Sequence, residues 1–568
     1  MSTYDKYPEK CLAGEAFVGY EDIIKKIKTH TQNKEKTVIV LDFYTGVDAD
    51  EVLCAFMPMA KHMINAEVMY ISPNEFDDKI ADNLTNDRVF GFMCDKTLSD
   101  FADKTVLCSL QKQIEKANGI VVVYGVGASL ITKGDLLIYL DLARWEIQGR
   151  YKNGMGNWRC DNSDAPFLTK YKRGFFVEWR LADRHKTGLF EDIDYLLDTN
   201  VKDIPKMITG DIFRTALCKF SSEPFRLVPY FDPGVWGGQW MKEVCNLPKE
   251  ADNYAWSFDG VPEENSLYIN VSGTKIEIPA IDVVLYRPTE LLGQKVYDTF
   301  GAEFPIRFDF LDTMGGGNLS LQVHPQKEYI KKNFGMKYTQ EESYYILDAH
   351  EDACVYLGLR DNVDKDEFAN ALKTAQQTGK FDADKYINKI PAKKHDHFLI
   401  PPGTLHCSGR NSMVLEISAT PYIFTFKLWD WGRLGIDGIP RPIHLEHGLN
   451  NIAWDRATDF VKRELVNAVT PSPDGISERT GLHKLEFIDT HRHTFSEMVK
   501  HNTRGSVNVL NLVEGEAAIV NSINGEFEPF EVHYAETFII PALVGEYTIT
   551  PKSGEVKTIK AFVREQQQ

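Results

Sequence analysis

Residues 319–325 read Leu-Ser-Leu-Gln-Val-His-Pro, and the alternation of apolar and polar side chains in this segment predicts a β-strand. Successive side chains of a strand point to opposite faces, so Gln322 and His324 share one face while Val323 lies on the other. Two side chains that can bind a metal ion would therefore enter the same interior.

Two later segments carry further candidate ligands. Residues 341–347, Glu-Glu-Ser-Tyr-Tyr-Ile-Leu, begin another predicted strand with Glu342 near its start. Residues 399–406, Leu-Ile-Pro-Pro-Gly-Thr-Leu-His, predict a strand, a Pro-Gly turn and a return that presents His406. Imidazoles, a carboxylate and an amide suit zinc or another divalent first-row metal better than magnesium or calcium. Each residue alone could instead be a hydrogen-bonded core or surface group, so the prediction depends on the set.

The character of the sequence changes near residue 205. Before it, the apolar runs 38–41, 119–124 and 136–140 alternate with stretches of helical pattern, which predicts an α/β domain with buried parallel strands. From about residue 210, short strands separated by Gly, Pro and Asn predict an antiparallel sandwich or barrel.

A helical insertion is predicted inside this β region, near residues 361–390. It is charged and Ala-rich, with Phe368, Leu372 and Ala375 at helical spacing. It could wall a substrate pocket at a barrel mouth or cover the edge of a sheet. A second β-rich unit is expected from about residue 480 to the end.

Composition restricts the compartment and the partners. The 568 residues carry a formal net charge of −18, which disfavours nucleic acid and anionic membrane surfaces as partners. The 9 cysteines are scattered without a C-x-x-C pair, as is typical of reduced thiols. No apolar run approaches the length of a membrane span and the N-terminus is polar, so we expect a cytoplasmic protein.

From about residue 215 to 568 the chain resembles the type I phosphomannose isomerases, zinc-dependent members of the cupin superfamily. The segments that carry the resemblance are, in chain order, Val-Trp-Gly-Gly at 235–238, Phe-Leu-Asp at 310–312, Gln-Val-His-Pro at 322–325, Glu-Ser-Tyr-Tyr-Ile at 342–346, Pro-Pro-Gly-Thr-Leu-His at 401–406, Leu-Glu-Ile at 415–417, Leu-Trp-Asp-Trp-Gly-Arg at 428–433 and Pro-Arg-Pro-Ile-His at 440–444. By matching position, the resemblance places one Zn²⁺ per chain on Gln322, His324, Glu342 and His406, with Glu341 as the alternative carboxylate.

The resemblance implies an aldose–ketose isomerase that converts mannose 6-phosphate to fructose 6-phosphate through an enediolate. A cation beside the developing oxyanion lowers the barrier, and a base with a suitable pKa moves the proton. Glu416 matches a buried glutamate of the family and is the candidate base, the alternative being a hydrogen-bonded strand carboxylate. Phosphate recognition stays open among the nearby cations Lys337, Lys393, Lys394, Lys427 and Arg433.

Two positions depart from the family's pattern. Gln340 replaces a lysine, and Lys427 stands where the family has a catalytic arginine. Lysine keeps the charge but loses the planar fork of guanidinium, so substrate preference or rate could differ. Arg433 is the candidate replacement for the guanidinium, or else a structural ion-pair residue.

The N-terminal region resembles a nucleoside-kinase-like P-loop domain whose P-loop has degenerated. After the strand at 38–41, the expected glycine-rich loop is replaced by Asp-Phe-Tyr-Thr-Gly-Val-Asp-Ala-Asp at 42–50, where Asp48 and Asp50 would repel phosphate. An inactive scaffold or oligomerisation domain, a ligand-sensing domain and an active kinase are the three interpretations. The scaffold would allow a homo-oligomer through this domain.

The predicted architecture is therefore multidomain. It comprises a degenerate kinase-like α/β domain at 1–205, a catalytic cupin (jelly-roll) domain at 206–478 with its helical insertion, and a metal-free companion cupin at 479–568. The histidines of this companion cupin, His491, His493, His501 and His533, could form a second site, but they lack the Gln-x-His and Pro-Gly-x-x-His pattern, so we expect a structural role for them. The predicted function is a zinc-dependent mannose-6-phosphate isomerase of carbohydrate metabolism. The alternatives are a hexose-phosphate isomerase of altered preference, a non-catalytic zinc-cupin sensor of sugar phosphates, and a bifunctional kinase and isomerase.

Overall fold

The computed structural model describes residues 3–435, 438, 441 and 443–564. The chain divides into two compact units. The α/β unit comprises Glu9–Lys219 and Pro262–Arg287, and the β unit comprises Met1–Pro8, Phe220–Val261 and Pro288–Gln568. The sequence-based ranges were continuous, whereas the α/β unit also takes a segment from the middle of the chain. Local patterns do not carry that information, because it depends on which strand a hairpin pairs with.

Residues 9–220 alternate between strands and helices. In chain order the elements are β1 (Glu9–Leu12), β2 (Ala16–Val18), α1 (Gly19–Thr31), β3 (Lys36–Phe43), α2 (Ala49–Phe56), β4 (His62–Asn65), α3 (Pro73–Leu84), α4 (Lys104–Lys116), β5 (Gly119–Gly125), β6 (Leu136–Asp141), α5 (Arg144–Lys152), α6 (Phe167–Arg173), α7 (Trp179–Thr187), β7 (Tyr195–Asp198), β8 (Lys206–Thr209) and α8 (Gly210–Phe220).

The α/β unit is built on a seven-stranded sheet in the order β2-β8-β7-β6-β3-β5-β4. Strands β3 to β7 are mutually parallel, and β8 and β2 are antiparallel additions at one edge. The predicted parallel strands at 38–41, 119–124 and 136–140 are β3, β5 and β6, so the α/β prediction for this region is confirmed.

Residues 230–460 contain the elements of the central β region, together with a hairpin and a helix of the α/β unit. They are β9 (Tyr230–Asp232), α9 (Trp240–Val244), β10 (Trp256–Phe258), β11 (Ser266–Val271), β12 (Thr274–Pro279), α10 (Ile281–Tyr286), α11 (Pro288–Leu292), α12 (Gln294–Phe300), β13 (Arg307–Asp312), β14 (Leu321–Val323), α13 (Lys327–Phe334), β15 (Glu341–Ala349), β16 (Cys354–Leu359), α14 (Lys365–Thr378), α15 (Ala383–Tyr386), β17 (Ile387–Pro391), β18 (His397–Ile400), β19 (His406–Ser408), β20 (Ser412–Ala419), β21 (Phe426–Trp429), α16 (Leu445–Leu449) and α17 (Thr458–Phe460).

Two antiparallel sheets form the central β region. One has the order β18-β15-β20-β13-β10-β9 and the other β17-β16-β19-β14-β21. The hairpin β11–β12 is not part of them: it forms a three-stranded sheet with β1, to which β11 is parallel, and belongs to the α/β unit with α10. Two residues of the predicted motif at 440–444, Pro440 and Pro442, lie outside the described residues.

The predicted insertion is helical. Asp364 caps α14 by accepting a hydrogen bond from the backbone N–H of Glu367 at 2.8 Å, and Gly379 at φ 68° ends the helix. Phe368, Leu372 and Ala375 are buried, as their helical spacing predicts.

The C-terminal β region consists of two further antiparallel sheets. Its strands are β22 (Thr470–Pro471), β23 (Ser477–Arg479), β24 (Ile488–Phe495), β25 (Val499–Asn502), β26 (Asn508–Glu514), β27 (Ala517–Ser522), β28 (Phe530–His533), β29 (Thr537–Ile540), β30 (Glu546–Pro551) and β31 (Val556–Val563). The sheets have the orders β22-β23-β24-β31-β26-β29 and β25-β30-β27-β28. Both contribute to one apolar core, which includes Leu510, Phe538, Val520 and Ile549. Among residues 3–435 and 443–564, no helix is long and apolar enough to cross a membrane.

Candidate metal centre

The two central sheets bring the candidate ligands together. Gln322 lies in β14, directly opposite His406 in β19, and His324 follows β14 immediately. Glu342 comes from β15 in the other sheet. The alternation along residues 321–324 therefore places Gln322 and His324 on one face of β14. The arrangement of the strands brings His406 and Glu342 to the same place.

Three of these side chains could hold one ion. The ligand atoms of His324, Glu342 and His406 all lie within 4.8 Å of one another. His324 Nε2 contacts Glu342 Oε2 directly, and His406 Nε2 lies 3.1 Å from the same oxygen. The amide of Gln322 lies 3.1 Å from His406 Nε2 and completes the cluster. All four side chains are buried, with at most 7% of any residue exposed.

The backbone fixes the orientation of both imidazoles. His324 Nδ1 lies 3.1 Å from the carbonyl oxygen of Phe424, and His406 Nδ1 lies 2.9 Å from that of Thr404. A carbonyl oxygen can only accept, so each Nδ1 donates its hydrogen to the backbone and each Nε2 faces the cluster. Metal-binding histidines are oriented in this way.

The charge of Glu342 also suits a cation site. Burial alone would raise the pKa of its carboxyl group, but His406 and His324 outweigh burial and lower this pKa below its usual value. Two imidazoles and a carboxylate are a donor set typical of zinc and related divalent metals. The alternative carboxylate, Glu341, points elsewhere: it lies 3.2 Å from Lys327 Nζ and accepts the backbone N–H of Phe487 at 2.8 Å.

Glu416 lies on the same face of the sheet as Glu342. In β20 it is opposite Tyr344, two residues after Glu342 in β15, and on its other side it is opposite Asp309 in β13. Burial, followed by the charges of Glu342 and Asp309, raises the pKa of Glu416 well above its usual value. A carboxyl group with a raised pKa beside a cation site can act as an acid or base near neutral pH.

Arg307 and Asp309 are candidate site residues that the sequence analysis missed. They are two apart in β13, so they share the face that carries Glu416, and Arg307 is opposite Ser418, which is itself opposite Glu342. Both are buried, and Arg307 Nε lies 3.4 Å from an Asp309 oxygen. The polar–apolar alternation of Arg307-Phe308-Asp309 was the available signal, but its meaning depends on the register with β20.

Lys427 lies directly opposite Gln322, in β21. Burial, and then the charge of Arg441, lowers the pKa of its ammonium group to about 7. Across the described part of the chain, this ammonium has no hydrogen bond or ion pair. A lysine on the ligand face is thus available to meet a bound anion.

Arg433 is held by an ion pair. Its Nη2 atom lies 2.6 Å from Asp430 Oδ1, and Arg441 contacts the other oxygen of Asp430 at 2.8 Å. Lys394, one of the other predicted phosphate-binding cations, lies 2.9 Å from Glu514 in the C-terminal β region. The structure therefore brings Gln322, His324, Glu342 and His406 together, and places Glu416 and Lys427 on faces that adjoin them.

Curated proteins similar to this chain are isomerases by name. Probable mannose-6-phosphate isomerase GmuF of Bacillus subtilis is 25% identical over 330 residues, which are 58% of this chain and 96% of that protein. Mannose-6-phosphate isomerase of Streptococcus mutans is 23% identical over 322 residues, 56% of this chain and 93% of that protein. Together with the site, these similarities support an isomerase.

A solved structure and a family model are also similar to parts of this chain. A crystal structure of the mannose 6-phosphate isomerase from Bacillus subtilis is similar at a TM-score of 0.48 and 19% identity, covering 60% of this chain and 99% of that one. Residues 19–222 match a family model described as a domain of unknown function, DUF8485.

Proposed function

We propose that the β unit is a zinc-dependent aldose–ketose isomerase that interconverts mannose 6-phosphate and fructose 6-phosphate. The observation that supports it most is the meeting of His324, Glu342 and His406, from three separate segments, in one buried cluster. The names of the curated relatives support the substrate. The donor set supports zinc, and cysteines that are scattered without a C-x-x-C pair support a cytoplasmic location.

Two side chains fit the proton transfer. Isomerisation takes a proton from C2 of the aldose and returns it to C1, while charge builds on the sugar oxygens of an enediolate. Glu416 is our candidate for the group that accepts and returns this proton. Lys427 would stabilise the developing negative charge from the opposite sheet. A divalent cation held by Gln322 and the three-residue cluster would supply further stabilisation of that charge when bound.

Metal analysis and a coupled assay test this proposal together. The double variant Gln322→Ala/His324→Ala should lose the bound zinc and at least about a hundredfold in kcat/KM with mannose 6-phosphate. The matched control is Gln377→Ala/His350→Ala, which changes two exposed side chains of the same region and should retain both. Zinc retained at full stoichiometry in the first variant would show that the metal lies elsewhere.

The sensor alternative has a distinct signature in the same experiment. A zinc-replete protein that binds mannose 6-phosphate without turning it over would contradict the isomerase and support the sensor. Preferential turnover of another hexose phosphate would support an isomerase of altered specificity. This outcome is a specific expectation because Lys427 replaces an arginine and lacks its planar fork.

For the α/β unit we propose a degenerate kinase-like domain with a scaffolding role. Asp48 occupies the N-cap position of α2, where its carboxylate accepts the N–H of Glu51 at 3.2 Å, so an acid stands where this helix would otherwise meet phosphate. Asp42 accepts hydrogen bonds from the N–H groups of Gly127 and Ser129 at 3.0 and 2.9 Å. In these contacts, carboxylates of the protein itself accept the backbone N–H groups that a phosphate-binding loop would donate to its ligand. They therefore favour a loop that binds no phosphate.

ATP binding distinguishes the interpretations of this unit. Calorimetric titration of the full chain with Mg-ATP should give no binding signal up to about millimolar concentration, because Asp48 offers charge repulsion in place of a lysine. Saturable binding that is abolished by changes in the α/β unit would instead support an active kinase or a nucleotide sensor.

A further inference from the structure

The interior of the C-terminal β region is polar at one end. Along β24 and β31, the inward-facing pairs run from Phe495–Val556, in the apolar core, to His493–Thr558 and then His491–Lys560. The opposite sheet follows the same order, because β25 and β30 pair Val499 with Ile549 and then His501 with Tyr547. The rings of His493 and His501 meet between the sheets, with their centroids 4.7 Å apart. We refer to His491, His493, His501 and Lys560 as the His–Lys cluster.

Several polar atoms of this end have no partner. His493 Nδ1, His501 Nε2 and Thr558 Oγ1 are buried and make no hydrogen bond within the described ranges. His493 and His501 are only 7% and 6% exposed. An unsatisfied buried polar atom costs free energy, so several at one place indicate a ligand that satisfies them.

Lys560 adds an uncompensated charge. It is 9% exposed, and nothing in the described part of the chain forms an ion pair or hydrogen bond with its ammonium group. The ammonium group lies 5.5 Å from the centroid of the Phe562 ring. A buried lysine is normally paired, because an isolated charge in a protein interior is costly.

The electrostatic surroundings are positive. Burial, and then Lys560, lowers the pKa of His493 to about 3, and burial followed by Arg504 lowers the pKa of Lys560 to about 8. The carboxylate of Asp489 is already engaged by Arg479, with Nε at 3.0 Å. The charges of Asp489 and Asp474 also act on His491 and His493, respectively, and Asp474 accepts a hydrogen bond from the Ser477 hydroxyl at 2.9 Å. Among the described residues neither carboxylate forms an ion pair with Lys560, whose charge would repel a metal cation.

We propose that the His–Lys cluster binds a small oxyanion, either the phosphate group of a sugar phosphate or the carboxylate of an organic acid. Lys560 would supply the charge, and the ring N–H groups of His493 and His501 would donate hydrogen bonds to its oxygens. This site is separate from the candidate metal centre and stands independently of the proposed isomerase activity. It gives the C-terminal β region a ligand of its own.

Titration calorimetry on the full chain tests the site. Inorganic phosphate and citrate are titrated separately, at constant ionic strength, into the wild type, Lys560→Met and Lys557→Met. Lys557 is the matched control, because it lies on the same strand three residues away and faces the opposite side, near Glu555. We expect Lys560→Met to weaken one binding event at least about tenfold and Lys557→Met to leave it unchanged.

Further measurements make the result decisive. Lys560→Met removes an unpaired buried charge, so it should melt no lower than the wild type. His501→Phe keeps a ring stacked on Tyr547, which is 5.2 Å away at 16°, yet removes the donor and should weaken the same event. If these variants weaken the binding of phosphate alone, the ligand is a phosphate group. If they weaken the binding of citrate alone, it is a carboxylate.

Two outcomes would overturn the proposal. Equal binding of both anions by wild type, Lys560→Met and Lys557→Met would show that the cluster holds no oxyanion. A second equivalent of zinc that disappears in His501→Phe would show that the site binds a metal.

Discussion

Replacing Glu416 by glutamine separates a catalytic carboxyl group from a structural one. Glutamine has nearly the same shape and can still hydrogen-bond, but it cannot accept and return a proton. If Glu416 transfers the proton, Glu416→Gln should lower kcat strongly while the protein keeps its stability. If Glu416 is a structural carboxylate, the same change should lower stability.

The two effects have magnitudes that a single variant can distinguish. Loss of a general base costs about 10²–10⁴ in rate, which corresponds to about 3–5 kcal/mol of barrier. Glu416 lies opposite Asp309 on the neighbouring strand. Two ionised carboxylates about 5 Å apart would repel by about 3 kcal/mol at an effective dielectric constant of about 20, and such repulsion is one reason why the pKa of Glu416 is raised. Glu416 must either bear this repulsion or hold a proton, whereas glutamine is always neutral, so the melting temperature of Glu416→Gln should equal or exceed that of the wild type.

The assay is a coupled measurement of mannose 6-phosphate turnover, run beside thermal unfolding of the same zinc-replete samples. Glu351→Gln, at an exposed position in the same region, is the matched control and should leave both unchanged. A kcat within about threefold of the wild type, or a large loss of kcat together with a lower melting temperature, would refute the assignment of Glu416 as the base.

Three further predictions follow from other contacts. Lys427→Met should lower kcat/KM at least about tenfold in steady-state assays while Lys427→Arg retains activity, because arginine keeps the charge and adds a planar fork; equal activity of all three proteins would contradict a role for this cation. Burial, aided by Asp198, raises the pKa of Glu277 from 4.5 to about 7, so the folded α/β unit holds a proton that the unfolded chain releases. Stability should therefore fall by up to about 3 kcal/mol as pH rises from about 4.5 to 7, and denaturant unfolding of Glu277→Gln should lack that slope. Phe368→Ala, which leaves a cavity against Tyr386 and Trp454, should cost about 3–5 kcal/mol in unfolding experiments and leave bound zinc unchanged if the insertion only covers the sheet.

Local periodicity predicted much of this molecule. The alternation around Gln322 and His324 placed them on one face, and the helical spacing of Phe368 placed it in a core. The apolar runs gave the parallel strands of the α/β unit. In each case the information lies within about ten consecutive residues, which is the range over which strand and helix periods operate.

Pairing between distant segments could not be predicted in the same way. Arg307 adjoins the site only because β13 pairs with β20 in one particular register, and a shift of one residue would turn it to the other face. The His–Lys cluster has no motif, since its members come from three strands. The assignment of Pro262–Arg287 to the α/β unit depends on the pairing of β11 with β1 across more than 250 residues.

The division of the α/β unit between two segments of the chain affects how the protein folds during synthesis. The chain enters the α/β unit twice, at Glu9 and at Pro262, and each time it returns to the β unit, where it stays from Pro288 onward. Lys186 in α7 contacts Asp282 in α10, so part of the α/β interior is synthesised long after the strands of its main sheet. On the ribosome, the first unit to emerge must wait for Arg287 before it is complete. Expression of residues 1–219 alone should therefore yield a protein with a buried lysine missing one of its two carboxylates and poor solubility.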